Sequence, residues 1–317
     1  MKRFEDLVGQ LAVKRQLLFY HDAWKATKRM PNVLLSAPKG TGKTEFAKRF
    51  ARKLTDSEGK PRPFVEINCG VLKKADDFFE VIYPNKIADR SVTVLFDECH
   101  ALPNDLETAF LTLFSVNTDK RARLSTANGF EVVLDFESQS FFFATTESHK
   151  VFEPLKNRLD EITFDFYTDE EMGRIFSGYC NVTVERSVLP KIVNTLRGVA
   201  RAAVKIADKV NMYCSSKKIA RFGAAEWADL CKIVGVLPWG ITPLEIRILE
   251  TLKARGATSL QGLCAATGMS RASLLYSGEN GLLGLGMLDK DATSKRFITA
   301  KGIGALSEAL QVRKTWA

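Results

Sequence analysis

A chain of 317 residues, 45% of them hydrophobic and carrying a net charge of +9, has apolar material for two or three small domains, each with its own core. No apolar stretch approaches the roughly 20 residues of a bilayer span, and Met1-Lys2-Arg3 leads into an acidic, amphipathic segment instead of an apolar leader, so a cytoplasmic protein is expected. Six scattered cysteines without C-x-x-C spacing and only three histidines argue against a metal centre and fit reduced, mostly buried thiols.

In chain order, Phe4 to Met30 sets Leu7, Leu11, Leu17, Leu18 and Trp24 at helical spacing, and Pro31 ends that helix. Val33 to Ser36 reads as a strand that runs into Ala37 to Thr44, A-P-K-G-T-G-K-T, with a helix from Glu45 to Leu54. Strand, glycine loop and helix start together cradle phosphate. Gly40 and Gly42 let successive N–H groups, through Thr41 and on to Glu45, converge on an anion, and the helix N-terminus adds its positive dipole end. Lys43 would reach the β and γ phosphates, and the Thr44 hydroxyl would hold Mg²⁺. Ala37 stands where the pattern G-x-x-x-x-G-K-[ST] has its first glycine. Alanine resists positive φ, so either a strained loop or a different entry into the turn is expected. Because Gly-Lys-Thr recurs by chance, the loop alone leaves nucleotide binding open.

Phe64 to Asn68 reads as a second strand, and Lys73 to Tyr83 as a helix with Phe78, Phe79 and Ile82 on one face. Val92 to Glu98 is an apolar run of the kind a buried parallel strand shows, ending in two carboxylates with His100 close behind. Ligands of open α/β sheets gather outside the carboxyl ends of the strands. Asp97 would aid the Mg²⁺ shell, and Glu98, pointing the other way, would polarise the attacking water. The alternative is that the pair only caps the helix after Pro103. Asn104 to Val116 is a further helix. Residues 119–135 alternate weakly around Asn128-Gly129 and carry Lys120, Arg121 and Arg123, which predicts a β-hairpin. Ser140 to Thr145 is another buried strand, tipped by Thr145-Thr146-Glu147, and Phe152 to Arg158 a short helical turn.

At Phe166 to Asp169 the pattern turns all-helical, giving an expected α/β domain over 1–166 and a helical lid over 167–238. The lid helices are Asp169 to Tyr179, Leu189 to Leu196, Val199 to Cys214 and Ala225 to Ile233. After Leu237-Pro238-Trp239-Gly240, residues 239–317 read as three helices and two short strands, the winged form of helix-turn-helix. Between those strands Lys290, Lys295 and Arg296 suit contact with DNA phosphates. The positive charge concentrates in the first sixty residues and from 166 onward, while 61–165 is acidic. A polyanion partner, nucleic acid before membrane, is expected, with a merely solvated basic surface as the alternative.

Taken together in this order, these parts resemble the RuvB-like AAA+ ATPases, the motors of Holliday-junction branch migration. The likeness covers nearly the whole chain. Its most specific stretches are Phe4-Glu5-Asp6-Leu7-Val8-Gly9-Gln10, Asp97-Glu98-Cys99-His100, Ala144-Thr145-Thr146, Pro154-Leu155-Lys156-Asn157-Arg158 and Arg197-Gly198-Val199-Ala200-Arg201. The resemblance implies an AAA+ core with lid and winged-helix domain, ATP and Mg²⁺ as cofactors, and a hexameric ring acting on double-stranded or junction DNA. It implies Lys43 and Thr44 on phosphate and Mg²⁺, with Asp97 and Glu98 as the Walker B pair and Thr146 as sensor 1. It further implies Val8, Gly9 and Tyr167 around the nucleotide, Arg201 as sensor 2, and Arg158 as the arginine finger of a neighbouring subunit. Pairing of Arg158 with Asp160 or Glu161 is the plainer alternative. The 119–135 hairpin stands where the family meets its partner RuvA, although polar and basic residues largely replace the apolar contacts there. Ala37 and Lys39 in the loop, Glu147 in place of arginine, and Leu159-Asp160 in place of Phe-Gly are further departures.

The reading that results is an ATP-driven DNA motor. An ATP-switched clamp or helicase loader shares the same core but usually ends in a helical collar, whereas a scaffold that binds nucleotide and barely hydrolyses it would draw on Ala37 and on the lack of the family's Leu-Arg-Pro segment before Asp6.

Overall fold

Consecutive residues of a strand face opposite ways, and the run Phe141-Phe142-Phe143 therefore serves two cores at once. In a computed structural model, which describes residues 3–115, 120–126, 128–129 and 131–316, Phe142 lies 5.8 Å from Phe50 between ring centroids. Phe141 and Phe143 turn the other way onto Phe114, at 5.1 and 5.3 Å. Each buried phenylalanine contributes about 1.5–3 kcal/mol of apolar burial, and each edge-on ring pair roughly 0.5–1.5 kcal/mol more.

The elements in chain order are helix α1 (Leu11–Thr27), strand β1 (Val33–Ser36), helix α2 (Lys43–Ala51), strand β2 (Phe64–Asn68), helix α3 (Tyr83–Lys86), strand β3 (Val92–Asp97) and helix α4 (Asn104–Leu113). Strands β4 (Arg121–Ser125) and β5 (Glu131–Asp135), strand β6 (Gln139–Thr145), helix α5 (Glu153–Lys156) and strand β7 (Asp160–Thr163) follow. Five of these strands form one parallel sheet in the order β2-β3-β6-β1-β7. A parallel sheet must be covered on both faces. Val33, Leu35, Leu95 and Phe142 meet Trp24, Phe46 and Phe50 on one side. Leu34, Val94, Phe96, Phe141 and Phe143 meet Phe78, Phe110 and the hairpin's Val132 and Leu134 on the other.

Several local boundaries differ from expectation. Helix α1 starts at Leu11 and not at Phe4, because Gly9 and Gln10 adopt left-handed φ of 67° and 52°. The stretch from Lys73 stays a turn, since the Asp77 carboxylate accepts the N–H groups of Lys73 and Lys74. A π-helical turn, Asp77–Ile82, then leads into α3. Strand β7 was not expected, and only Ile162 of its four residues is buried. The expected hairpin is present in β4 and β5, paired Arg121↔Asp135 to Ser125↔Glu131. Asp119, where it was expected to begin, and Val116, where the preceding helix was expected to end, lie outside the described residues.

The chain divides into two compact units, 1–167 and 168–317. The second holds α6 (Asp169–Tyr179), strand β8 (Thr183–Val184), α7 (Leu189–Leu196), α8 (Ala200–Lys217), strand β9 (Arg221–Phe222), α9 (Ala224–Val234), α10 (Pro243–Arg255) and α11 (Leu260–Thr267). A π-helical turn, Ser273–Glu279, continues into α12 (Asn280–Gly284), then come strands β10 (Leu288–Lys290) and β11 (Arg296–Ile298) and helix α13 (Ala300–Trp316). Thr168 and Thr242 start α6 and α10 with capping boxes that reach Glu171 and Glu245. Gly302 is required by close packing: a Cβ there would stand 2.1 Å from the Met287 carbonyl oxygen. The final helix, α13, was not expected.

The Leu237 to Gly240 segment is no break within this unit. Arg197 donates to both oxygens of the buried Glu245 carboxylate at 2.7 and 2.8 Å, and to the carbonyls of Trp239 and Gly240 at 3.1 and 2.8 Å. One guanidinium thus ties the lid helices to the winged part.

Candidate nucleotide site and nucleic-acid interface

Strand register sets the site, because it levels the carboxyl ends of β1, β3 and β6. Ser36 pairs with Thr145, and the Ala37 N–H extends that ladder to the Thr145 carbonyl at 3.2 Å. Ala37 is buried and is not among the residues of positive φ, so the loop is entered in strand geometry. The expected strain is absent, and the methyl group occupies core. Positive φ falls instead at Gly40 (81°) and at Gly42 (100°), a conformation L-residues rarely adopt.

Within the loop, the Lys43 ammonium lies 2.9 Å from the Ala37 carbonyl and 3.3 Å from that of Pro38, which centres its charge in the curve. Thr41 is buried and closes the turn onto the Pro38 carbonyl at 2.9 Å. Glu45 directs its carboxylate to Arg49 at 2.5 Å. The contribution of Glu45 to an anion cradle is therefore its backbone N–H alone. Across the sheet, Thr44 Oγ1 donates to Asp97 Oδ2 at 3.3 Å. These are hard oxygen donors of the kind Mg²⁺ selects, and they are adjacent without help from any distant element.

Glu98 takes left-handed φ of 52°, which turns it away from Asp97, and its Oε2 accepts the Thr146 hydroxyl at 3.2 Å. The paired carboxylates are thus split between two neighbours, one on the loop threonine and one on the tip of β6. Only one feature here was missed by sequence reasoning. His100 bridges the strand ends, with Nδ1 2.9 Å from Thr145 Oγ1 and 3.5 Å from Glu98 Oε2, and Nε2 3.2 Å from Glu147 Oε2. Its place two residues after Glu98, in the stretch Asp97-Glu98-Cys99-His100, was the signal available. A hydrogen bond from Lys150 holds the Glu147 carboxyl below the usual range. Burial raises the thiols of Cys69 and Cys99 well above the usual cysteine value, so neither behind these strand ends is a nucleophile.

The segment before α1 is fastened to the end of the first unit. The Gln10 side-chain amide donates to the Asp165 carbonyl at 2.6 Å and accepts the Asp165 N–H at 3.1 Å. That brings Val8 and Gly9 beside the end of the unit, where the Tyr167 hydroxyl donates to the Thr41 carbonyl at 2.8 Å.

Arg158 is placed apart from this cluster. It precedes β7, whose Asp160 pairs with Val33, the first residue of β1, whereas the loop follows the last. Four residues of strand, about 13 Å, separate the two ends of this strand pair. Arg158 Nε and Nη1 donate to the Leu111 and Pro154 carbonyls at 3.2 and 2.6 Å. Glu161 instead meets Lys156 and Ser148, and Asp160 meets Tyr20, so the plainer expectation of a pair with Asp160 or Glu161 is not met. Arg201 lies exposed in the first turn of α8, in the second unit.

The wing differs from expectation. Arg296 is 8% exposed, and its guanidinium donates to Glu279 at 2.8 and 3.2 Å. Lys290 Nζ reaches the same carboxylate at 2.6 Å. Burial pushes the Glu279 pKa up, but hydrogen bonds from Arg296 and then Lys290 outweigh it and leave the carboxyl below its usual value. Arg296 is therefore a strut inside the wing and is corrected as a phosphate contact. Lys295, at the exposed turn, keeps the geometry expected of one.

Residues 33–166 match the model of the ATPase family associated with various cellular activities (AAA). Curated relatives of similar sequence are Holliday junction branch migration complex subunits RuvB. That of Thermotoga maritima is 25% identical over 95% of this chain and 89% of its own length. That of Mycoplasma pneumoniae is 24% identical over 94% of each. Among solved structures, the Thermotoga maritima RuvB Holliday junction branch migration motor superposes with a TM-score of 0.75, at 23% identity, covering 97% of both chains.

Proposed function

We propose, from the premise that this is a divergent RuvB-like chain built on an AAA ATPase domain at residues 33–166, that it hydrolyses ATP in a ring of its own copies and uses the cycle to translocate duplex DNA and drive branch migration of Holliday junctions. The observation that carries the proposal is the pair of contacts Thr44–Asp97 and Thr146–Glu98, which assembles loop, acidic strand end and sensor threonine from three strands. Thr44 and Asp97 would hold Mg²⁺, which neutralises charge between the β and γ phosphates when bound.

The chain's own residues then divide the work. Backbone N–H groups from Gly40 to Glu45 and the Lys43 ammonium bind phosphate, while Val8, Gly9 and Tyr167 enclose the base. Glu98 takes the proton of the attacking water, and Thr146 holds the carboxylate in line for it. Arg158, at the amino end of the strands whose carboxyl ends carry the loop, serves the site of a neighbouring copy, and Arg201 reports nucleotide state to the lid. The proposed division is an AAA+ core over 1–166, a helical lid over 167–238 and a winged-helix DNA-binding part over 239–317. Lys295 of the wing contacts DNA phosphate. A RuvA-like partner at the hairpin would meet ion pairs, Arg121–Asp135 at 3.2 Å and Arg123–Glu131 at 3.4 Å, because the apolar side faces the core. The work is proposed to be cytoplasmic; no helix among the described residues is long and apolar enough to cross a membrane.

The test is the steady-state ATPase rate without DNA and with linear duplex, four-way junction or primer–template, for wild type and Glu98→Gln. Stimulation by duplex or junction that vanishes in the variant is the expected result. Stimulation by primer–template alone would favour a loader, and a rate equal to that of the variant throughout would overturn the proposal.

A further inference from the structure

The side chain of Glu147 has no part in the reaction just described, yet it closes a ring of contacts behind the catalytic carboxylate. The Glu147 N–H donates to Thr145 Oγ1 at 3.0 Å, Thr145 Oγ1 lies 2.9 Å from His100 Nδ1, and His100 Nε2 lies 3.2 Å from Glu147 Oε2. Glu147 Oε1 is held by Lys150 at 2.6 Å. An ionised carboxylate only accepts, so the proton of a neutral imidazole sits on Nε2. Nδ1 is then a lone pair, and Thr145, already an acceptor from Glu147, satisfies it with its hydroxyl hydrogen. Every donor in the ring has one acceptor.

The consequence falls on Glu98, whose Oε2 stands 3.5 Å from that same Nδ1. In this tautomer two lone pairs face each other, and the imidazole edge cannot donate to the carboxylate. Glu98 stays bound through Oε2 to Thr146 alone, and its basicity is kept for water. In the other tautomer the Nδ1–H, donated chiefly to Thr145 Oγ1 at 2.9 Å, would also set a positive hydrogen edge 3.5 Å from Glu98 Oε2 and weaken that carboxylate as a base. We propose that Glu147 is a positioning residue for hydrolysis: by fixing the Nε2–H tautomer of His100 it keeps the Glu98 carboxylate uncapped. The proposal rests on Glu98 being the base.

The experiment measures kcat, KM and, separately, the Kd for a fluorescent ATP analogue in wild type, Glu147→Ala, Glu147→Gln, His100→Ala and the double variant His100→Ala with Glu147→Ala. Glu98→Gln sets the floor of activity. A wild type at that floor would remove the ATPase reading itself, apart from anything Glu147 does. With wild type above it, E147A is expected to lower kcat about ten-fold, in the range of coupling between contacting residues, and to leave the analogue Kd unchanged. E147Q recovers most of the rate, since its amide oxygen still accepts Nε2–H, and E147A has no further effect once His100 is alanine. Glu147 is partly exposed, so its single variants are expected to fold, and urea unfolding checks those that also lack His100. An unchanged kcat in E147A, a Kd that moves as far as kcat, a glutamine variant as slow as the alanine one, or an equal loss in the His100→Ala background would each overturn the proposal.

Discussion

Ala37 decides how far the phosphate loop depends on its first glycine. Its N–H continues the β1 ladder and its side chain is buried, so the position asks for strand geometry and not for the freedom of glycine. Replacing Ala37 by glycine is therefore expected to leave nucleotide affinity within about two-fold and to cost roughly 0.5–1 kcal/mol of stability through the looser unfolded chain. Fluorescent-nucleotide titration and urea unfolding check this; a ten-fold gain in affinity would mean that alanine strains the loop. At this scale the sequence was legible wherever chemistry follows from residue type and spacing, as at Gly42, Lys43, Thr44, Asp97 and Glu98. It was opaque where the partner is distant in the chain. Nothing around His100 announces Glu147, 47 positions on, because only the register of β3 with β6 brings their strand ends together.

Among the elements, the wing shows how a charge pattern misleads. Lys290, Lys295 and Arg296 look alike in sequence, but Glu279, on the preceding helical turn and 1% exposed, takes two of them. Substituting Lys295 by alanine is expected to weaken duplex binding evenly across sequences and to lower the salt slope by about one. Arg296→Ala is expected instead to destabilise the fold by about 3 kcal/mol, since it strips a buried carboxylate of its bidentate partner. Salt-dependent DNA titration set beside urea unfolding separates the two. An equal loss of DNA affinity at unchanged stability for Arg296→Ala would reinstate it as a contact.

The same carboxylate gives the wing a pH dependence of definite sign. The folded-state pKa of Glu279 lies below its ordinary 4.5, so the stability it contributes is present above that value and is lost as pH falls through the lowered folded pKa. Protection of the β10 and β11 amides, corrected for intrinsic exchange, is expected to decline as pH falls below 4.5 in wild type, and Glu279→Gln should flatten that dependence. A variant with the same acid profile would place the acid-sensitive group elsewhere. Lid helices were read closely because their caps and apolar spacing are local, as with the Thr168 capping box. Strand β7 and helix α13 escaped: β7 is an edge strand with one buried apolar residue, and α13 follows Thr299, whose hydroxyl caps Gly302 at 3.1 Å, without a strong amphipathic pattern.

Over the whole molecule, the proposed motor requires a site that one copy does not complete. Asp97, Glu98 and Thr146 gather at the carboxyl ends of the strands with the loop of their own chain, whereas Arg158 stands at the amino end of β7, bonded to the Leu111 and Pro154 carbonyls. The direct measurement is the duplex-stimulated ATPase of two variants, Arg158→Ala and Lys43→Ala, alone and mixed. Each is expected to be inactive by itself. Mixing joins an intact loop on one copy to an intact finger on its neighbour, and activity should return, greatest near equal proportions. Mixtures that stay as inactive as their components, or an Arg158→Ala variant as active as wild type, would contradict a shared site and with it the ring motor.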